Sequence, residues 1–164
     1  MHENLYFKIP DIKLDIFSLI HPERTPINSP YKYLAGVGIA YLLAKNICNK
    51  LNYDINNTNA NVLFCIGTVA DMAPLVGANR KWLKEGLPIL NMTKNKGLKA
   101  IINKLRINKT LIDTEEIGFK IAPLINAVGR IGDPNLVIEL LTSNSDVNCK
   151  YLTNICIIKS IKIF

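Results

Sequence analysis

Histidine is scarce in this 164-residue sequence, with only His2 and His21, and the four cysteines, Cys48, Cys65, Cys149 and Cys156, form no C-x-x-C pair. A zinc site of the usual nitrogen–sulfur kind is therefore not expected. Cys65 lies inside an apolar run and reads as a buried thiol. Nothing in the cysteine pattern demands an oxidising compartment. Long hydrophobic runs are missing too. The longest, residues 34–44 and 62–70, are too short to span a bilayer. A basic leader followed by an apolar segment is also absent, so no membrane association is expected. The expected location is cytoplasmic, or an organelle matrix or stroma if the gene is organellar. Acidic residues are in deficit, with 13 Asp and Glu against 20 Lys and Arg, a net charge of +7. That excess suits a polyanionic partner such as nucleic acid. It suits equally a lysine-rich surface inflated by AT-rich coding. Hydrophobic residues make up 49% and charged residues 20%, which excludes a disordered chain and fits one domain with a core.

Along the chain, residues 1–30 are irregular and proline-rich, with an apolar segment at 14–20 that reads as a short strand. Ser29 and Pro30 mark a helix start, and a helix is expected over 31–51. Its small residues, Ala35, Gly36, Gly38 and Ala40, suggest that another backbone approaches closely. The compact apolar run 62–67 reads as a central strand of a parallel sheet, followed by a loop to Gly77. Helices are expected over 79–90 and 97–105. Asp113 and Glu116 have capping-box spacing ahead of a helical stretch from 114 to about 128, interrupted near Pro123. Asp133 with Pro134 starts a further helix through 141, and Asp146 caps a last one. Strands alternating with helices give an α/β class, a mainly parallel sheet flanked by helices. No internal repeat or linker divides it.

Three constellations carry chemistry. Asp71, in Gly67-Thr68-Val69-Ala70-Asp71-Met72-Ala73-Pro74-Leu75, would lie just past the carboxyl end of the expected strand, where α/β sheets place ligands. Its hard oxygens suit Mg²⁺ or Mn²⁺, although on spacing alone it reads more readily as a cap. Asn126 and Arg130 stand in the segment 121–133, where a helix ends in Gly-Arg-Ile-Gly-Asp. Arg130 offers a planar fork to phosphate, or an ion pair to Asp133 or Glu139. The basic stretch Lys94, Lys96, Lys99, Lys104, Arg106 and Lys109 could track a phosphate backbone, or be a solvated helix face, since no aromatic interleaves it.

Taken together and in order, these segments resemble the RecJ branch of the DHH phosphoesterase family over roughly residues 20–146. Leu34-Ala35-Gly36-Val37-Gly38-Ile39-Ala40 looks like that family's LAGVGVA helix, and Gly67 to Leu75 like its GTIADVVPL block. Glu116-Ile117-Gly118-Phe119-Lys120, running on to Asp133, looks like its DIGFRIGPRLNAAGRLGD block, and Glu139-Leu140-Leu141-Thr142-Ser143 continues the match.

The resemblance implies the later part of a DHH-type catalytic domain over residues 1–146, with 147–164 the start of a divergent connecting helix or tail. It implies 5′–3′ exonuclease chemistry on single-stranded DNA, driven by Mn²⁺ or Mg²⁺, in DNA repair and recombination. Asp71 would be a metal ligand and catalytic residue. Asn126 and Arg130 would line the nucleotide path, beside Lys94, Lys96 and Lys99. Two departures qualify this. The upstream DxD-type and DHH motifs that supply most metal ligands are not in the sequence, so the chain is expected to be inactive alone, or to need a complementary chain carrying the DHH half. Leu124 also stands where the family has arginine. The alternatives are a non-catalytic DNA-binding or scaffold relative, and a phosphoesterase of short oligonucleotides or cyclic dinucleotides.

Overall fold

The computed structural model describes residues 25–107, 112–131 and 133–161. The expected strand at 14–20 lies outside them. Among the described residues every regular element is helical, so the expected mainly parallel sheet and the α/β class are overturned. None of these helices is long and apolar enough to cross a membrane.

The error has a physical source at residues 62–67. This segment lies within helix α2, Ala60–Ala70, not in a strand. Its residues Val62, Phe64, Cys65 and Ile66 are all buried because α2 has packing partners on opposite sides. A helix buried all round carries no polar stripe, and its short apolar run cannot be told from a central strand by periodicity.

Helix α1, Gly36–Lys50, starts later than Ser29 and Pro30 suggested. The segment before it forms turns instead, and the Pro30 carbonyl accepts a hydrogen bond from Ala78 N–H at 3.0 Å. That bond anchors the start of helix α3, Gly77–Leu90, where Gly77 has a left-handed φ of +53°. The small residues of α1 do not mark the expected backbone approach, since a Cβ on Gly36 would meet nothing within 4 Å and one on Gly38 would meet only the Leu34 side chain; the tight contact lies instead at a glycine of α2. A Cβ on Gly67 would lie 2.9 Å from both Val37 methyls. Farther along, Gly86 lets α3 press against Asn61 and Cys65 of α2.

Helix α4, Lys96–Lys104, is capped by Asn95, whose side chain accepts from Leu98 N–H at 2.9 Å and donates to the Leu141 carbonyl at 2.7 Å. The capping signal at Asp113 is realised, since its carboxylate accepts from the N–H groups of Glu115 and Glu116. A continuous helical segment follows: α5 (Thr114–Glu116), a π turn (Ile117–Ile121) and α6 (Ala122–Ile131), with Pro123 in its first turn. Asp133 accepts from Asn135 N–H at 2.9 Å at the start of α7, Asn135–Thr142. The last helix, α8, Asp146–Ile161, is capped not by Asp146 but by Ser145, whose hydroxyl accepts from Asn148 N–H at 3.3 Å.

Two hydrophobic clusters flank α2. Tyr41, Phe64 and Trp82 fill one with aromatic rings, beside Leu83. Leu98, Ile101, Ile117, Ile121, Val128 and Leu140 belong to the other, whose buried members are all aliphatic or cysteine.

Candidate functional site

Asp71 sits at the C-terminus of α2, on a corner built by backbone geometry. Met72 N–H donates to the Val69 carbonyl at 3.0 Å, and Ala73 N–H to the Thr68 carbonyl at 3.1 Å. This is the paired closure of a Schellman motif, with Met72 at the left-handed position, φ +50°. Asn79, almost wholly buried, donates to the Pro74 carbonyl at 3.0 Å and the Tyr33 carbonyl at 2.7 Å, so the chain beyond the corner is pinned to the start of α1. The carboxylate therefore projects from a fixed backbone and is exposed.

Among the described residues Asp71 forms no salt bridge, and no group of three or more His, Cys, Asp or Glu could hold a metal ion. A divalent ion takes several oxygen or imidazole ligands. The described residues do not make up such a site.

Near this corner, a Cβ on Gly118 would lie 3.6 Å from Val69, which sets the π turn beside the end of α2. The next residue, Phe119, is 82% exposed. Pro123 and Asn126 follow at helical spacings of four and three and are exposed as well. An aromatic ring and an amide thus share one open face of the same helical segment. Sequence reasoning missed Phe119; counting back in helical steps from Asn126 would have found it. Arg130 lies one turn beyond Asn126 in α6. At about 1.5 Å per residue, Asn126 is about 12 Å and Arg130 about 18 Å along the helical segment from Gly118.

Leu124 is buried, with 4% exposure, inside the aliphatic cluster. An arginine there would have to be accommodated against that core, so this departure from the family pattern is a packing feature of the chain.

The lysines gather elsewhere. Lys94 is exposed in the loop before α4. Lys96 bonds Asp146 across to α8, Nζ to Oδ2 at 2.8 Å. That hydrogen bond, with the charges of Lys96, Lys150 and Lys99, holds the Asp146 carboxyl below its ordinary pKa despite some opposing desolvation. Lys99 lines a cleft of about 440 Å³ between α4 and α8, together with Lys104, Lys150, Asn103 and Asn154. Lys150, far off in sequence, was not anticipated. The principal packing partners of α4 are α7 and α8, whereas α2 packs on α1, α3, the π turn and α6. The expected site residues therefore fall into separate places: Asp71 at one corner, Asn126 and Arg130 along α6, and the lysines across α4 and α8.

Of the cysteines, Cys65 is buried against the Trp82 and Leu83 carbonyls, and burial pushes its thiol up to about 12. It is an inert core thiol, as its apolar setting suggested.

No protein-family model matches the chain. In sequence it is similar to single-stranded-DNA-specific exonuclease RecJ of Bacillus subtilis, 33% identical over 145 residues, covering 88% of this chain and 17% of the relative. The RecJ of Thermus thermophilus is 31% identical over 134 residues, covering 82% of this chain and 19% of the relative. In fold, the chain is similar to a crystal structure of exonuclease RecJ bound to manganese, with a TM-score of 0.77 at 28% identity, covering 87% of this chain and 36% of that one. The Thermus thermophilus RecJ in complex with Mn²⁺ gives a TM-score of 0.70 at 28% identity, covering 78% of this chain and 19% of that one. The chain thus spans only about a fifth of the length of these two curated relatives.

Proposed function

From a chain that is a RecJ-like partial domain, we propose that it forms the later part of a DHH-type nuclease domain over residues 1–146, with 147–164 the start of a divergent connecting helix or tail. For the complete domain the proposed activity is 5′–3′ hydrolysis of phosphodiester bonds in single-stranded DNA with Mn²⁺ or Mg²⁺, in DNA repair and recombination. For this chain by itself the proposal is narrower: it binds the single strand and does not cut it. Phe119 would stack on a base, Asn126 would meet base or sugar edges, and Arg130 would take a phosphate.

The observation that carries this is the isolation of Asp71 within an otherwise RecJ-like fold. Similarity extends over 88% of the chain, yet the described residues supply no cluster that could hold a metal beside Asp71. A pair of divalent ions needs further ligands, from residues outside those described or from a complementary chain. The burial of Leu124 favours the second reading, a non-catalytic strand-binding relative, because a phosphate-binding arginine is exchanged for a core side chain.

The test uses 5′-labelled single-stranded DNA and Mn²⁺ with the purified chain and its Asp71→Ala variant. Strand binding without nucleotide release by either protein is the expected result. Release by the wild type that Asp71→Ala abolishes would mean a complete metal site in this chain, and the narrower proposal fails. Absence of any strand binding would remove the nucleic-acid reading altogether.

A further inference from the structure

We propose that the cleft between α4 and α8 is a second contact surface for the phosphodiester backbone of a single strand, gripped by Lys99, Lys104 and Lys150, with Asp146 a built-in competitor for the phosphates. The choice of a single strand rests on the function proposed above; the cationic character of the cleft does not.

The two helices present complementary rows. On α8, Asp146, Lys150 and Asn154 recur every fourth residue and so share one face. On α4, Lys96, Lys99 and Asn103 recur at spacings of three and four, and Lys104 lines the same cleft. Lys99, Lys104 and Lys150 are exposed, and none of them forms a salt bridge among the described residues. The floor is closed by Ala100 and Thr153. Thr153 spends its hydroxyl on the Cys149 carbonyl at 2.7 Å, so the polar groups left facing outward are the lysines, two amides and the Asp146 carboxylate.

That composition selects the ligand class. Lysine is a flexible point charge suited to successive phosphates, not to bidentate reading of a base. Among the described residues no aromatic lines the cleft, so bases have no stacking surface there. The grip would be independent of sequence and sensitive to salt.

Asp146 sets the threshold. Among the described residues it is the sole carboxylate of the cleft lining, and Lys96 holds it at 2.8 Å on a mostly exposed rim. An incoming phosphate meets its repulsion, and can replace it as the partner of Lys96. Removing that charge leaves Lys96 as a fourth cation for the strand.

The experiment is fluorescence anisotropy with a labelled oligothymidylate and the full chain across a salt series, beside K99Q/K104Q/K150Q, D146N and N126A. Expected are weaker binding by the triple variant with a log–log salt slope shallower by about 2, at roughly 0.7 per lost phosphate contact, and tighter binding by D146N. Thermal melts check folding, which exposed lysine-to-glutamine changes leave intact. If the wild type binds and N126A weakens it, but the triple variant keeps the wild-type affinity and slope, the cleft is overturned while the proposed function stands. If polyglutamate displaces the strand from the wild type at equal charge concentration, the cleft is a site for acidic protein and this assignment falls. If the wild type binds no strand, both fall together.

Discussion

The two sides of α2 are built from different materials. On one, Tyr41, Phe64 and Trp82 form a ring cluster with centroids 5.1 to 5.4 Å apart, and Trp82 meets both partners nearly edge-on, at 75° and 82°. Lys45 lies 5.7 Å above the Trp82 ring. On the other, Ile, Leu and Val side chains from α4, the π turn, α6, α7 and α8 pack around Leu98 and Ile121. Ring pairs depend on angle as well as area, whereas aliphatic contacts add nearly in proportion to area. The ring side should therefore act as a rigid anchor for α1–α3 and the Asp71 corner. The aliphatic side is the more tolerant support for the candidate binding surfaces on α4, α6 and α8.

The largest expected contrast comes from the cores themselves. Trp82→Ala should destabilise by about 3–5 kcal/mol and Ile101→Val by about 0.5–1.5 kcal/mol, read from denaturant midpoints. Near-equal losses would erase the distinction between anchor and support. Next come the glycines at the helix crossings. Gly97→Ala drives a methyl onto the Leu140 backbone carbonyl, and Gly86→Ala drives one onto the Asn61 and Cys65 side chains. Both should destabilise by about 1–3 kcal/mol, with Gly97→Ala the worse, because a carbonyl fixed in α7 cannot rotate away. The reverse order would mean that α4 and α7 slide apart more easily than the buried Cys65 yields, and that the aliphatic side is soft in its backbone as well as its side chains.

The same difference decides how much of the fold was legible. Asp113 and Asp133 announced helix starts because a cap is local: a carboxylate two or three residues ahead of the N–H groups it satisfies. The helices around Trp82 and Leu98 were legible because each keeps a polar face. The segment 62–67 was not. It carries Phe64 and Cys65 to the rings and Val62 and Ile66 to the aliphatics, so its sequence shows neither face as polar. The candidate site divides likewise. Lys96 and Lys99 could be picked out as neighbours in sequence. Lys150 becomes their neighbour only through the packing of α8 on α4, a pairing written in no local pattern. The Asp71 block was recognisable, yet no spacing could say that its carboxylate would stand apart from other ligands.

A smaller effect, and of opposite sign, is expected at the Asp71 corner. Met72 occupies a left-handed backbone position that glycine adopts without steric cost, and its side chain is 88% exposed, so little packing opposes the change. Met72→Gly should stabilise the chain by about 0.5–1 kcal/mol in thermal melts, the relief of left-handed strain exceeding the added flexibility of the unfolded chain. A loss of stability instead would show that the Met72 side chain holds the corner, and that the anchor extends past the rings to Asp71.

The smallest effect lies on the support side, at the Lys96–Asp146 pair. Hydrogen bonding by Lys96 depresses the folded-state pKa of Asp146, so folding favours the charged carboxylate. The stabilisation is therefore fully present above the ordinary aspartate pKa of about 3.9 and is lost as pH falls through the lower folded value. Asp146 is mostly exposed, so the effect is slight and screened by salt. Wild type and Asp146→Asn should differ in melting temperature at neutral pH, converge as pH falls below the lowered folded-state value, and converge at neutral pH as salt is raised. A difference that survives both acid and salt would mean that Asp146 holds α8 to α4 by its shape and hydrogen bonding. The carboxylate would then be a fixed strut of the cleft, and a phosphate could not take its place on Lys96 without loosening the helices that form the groove.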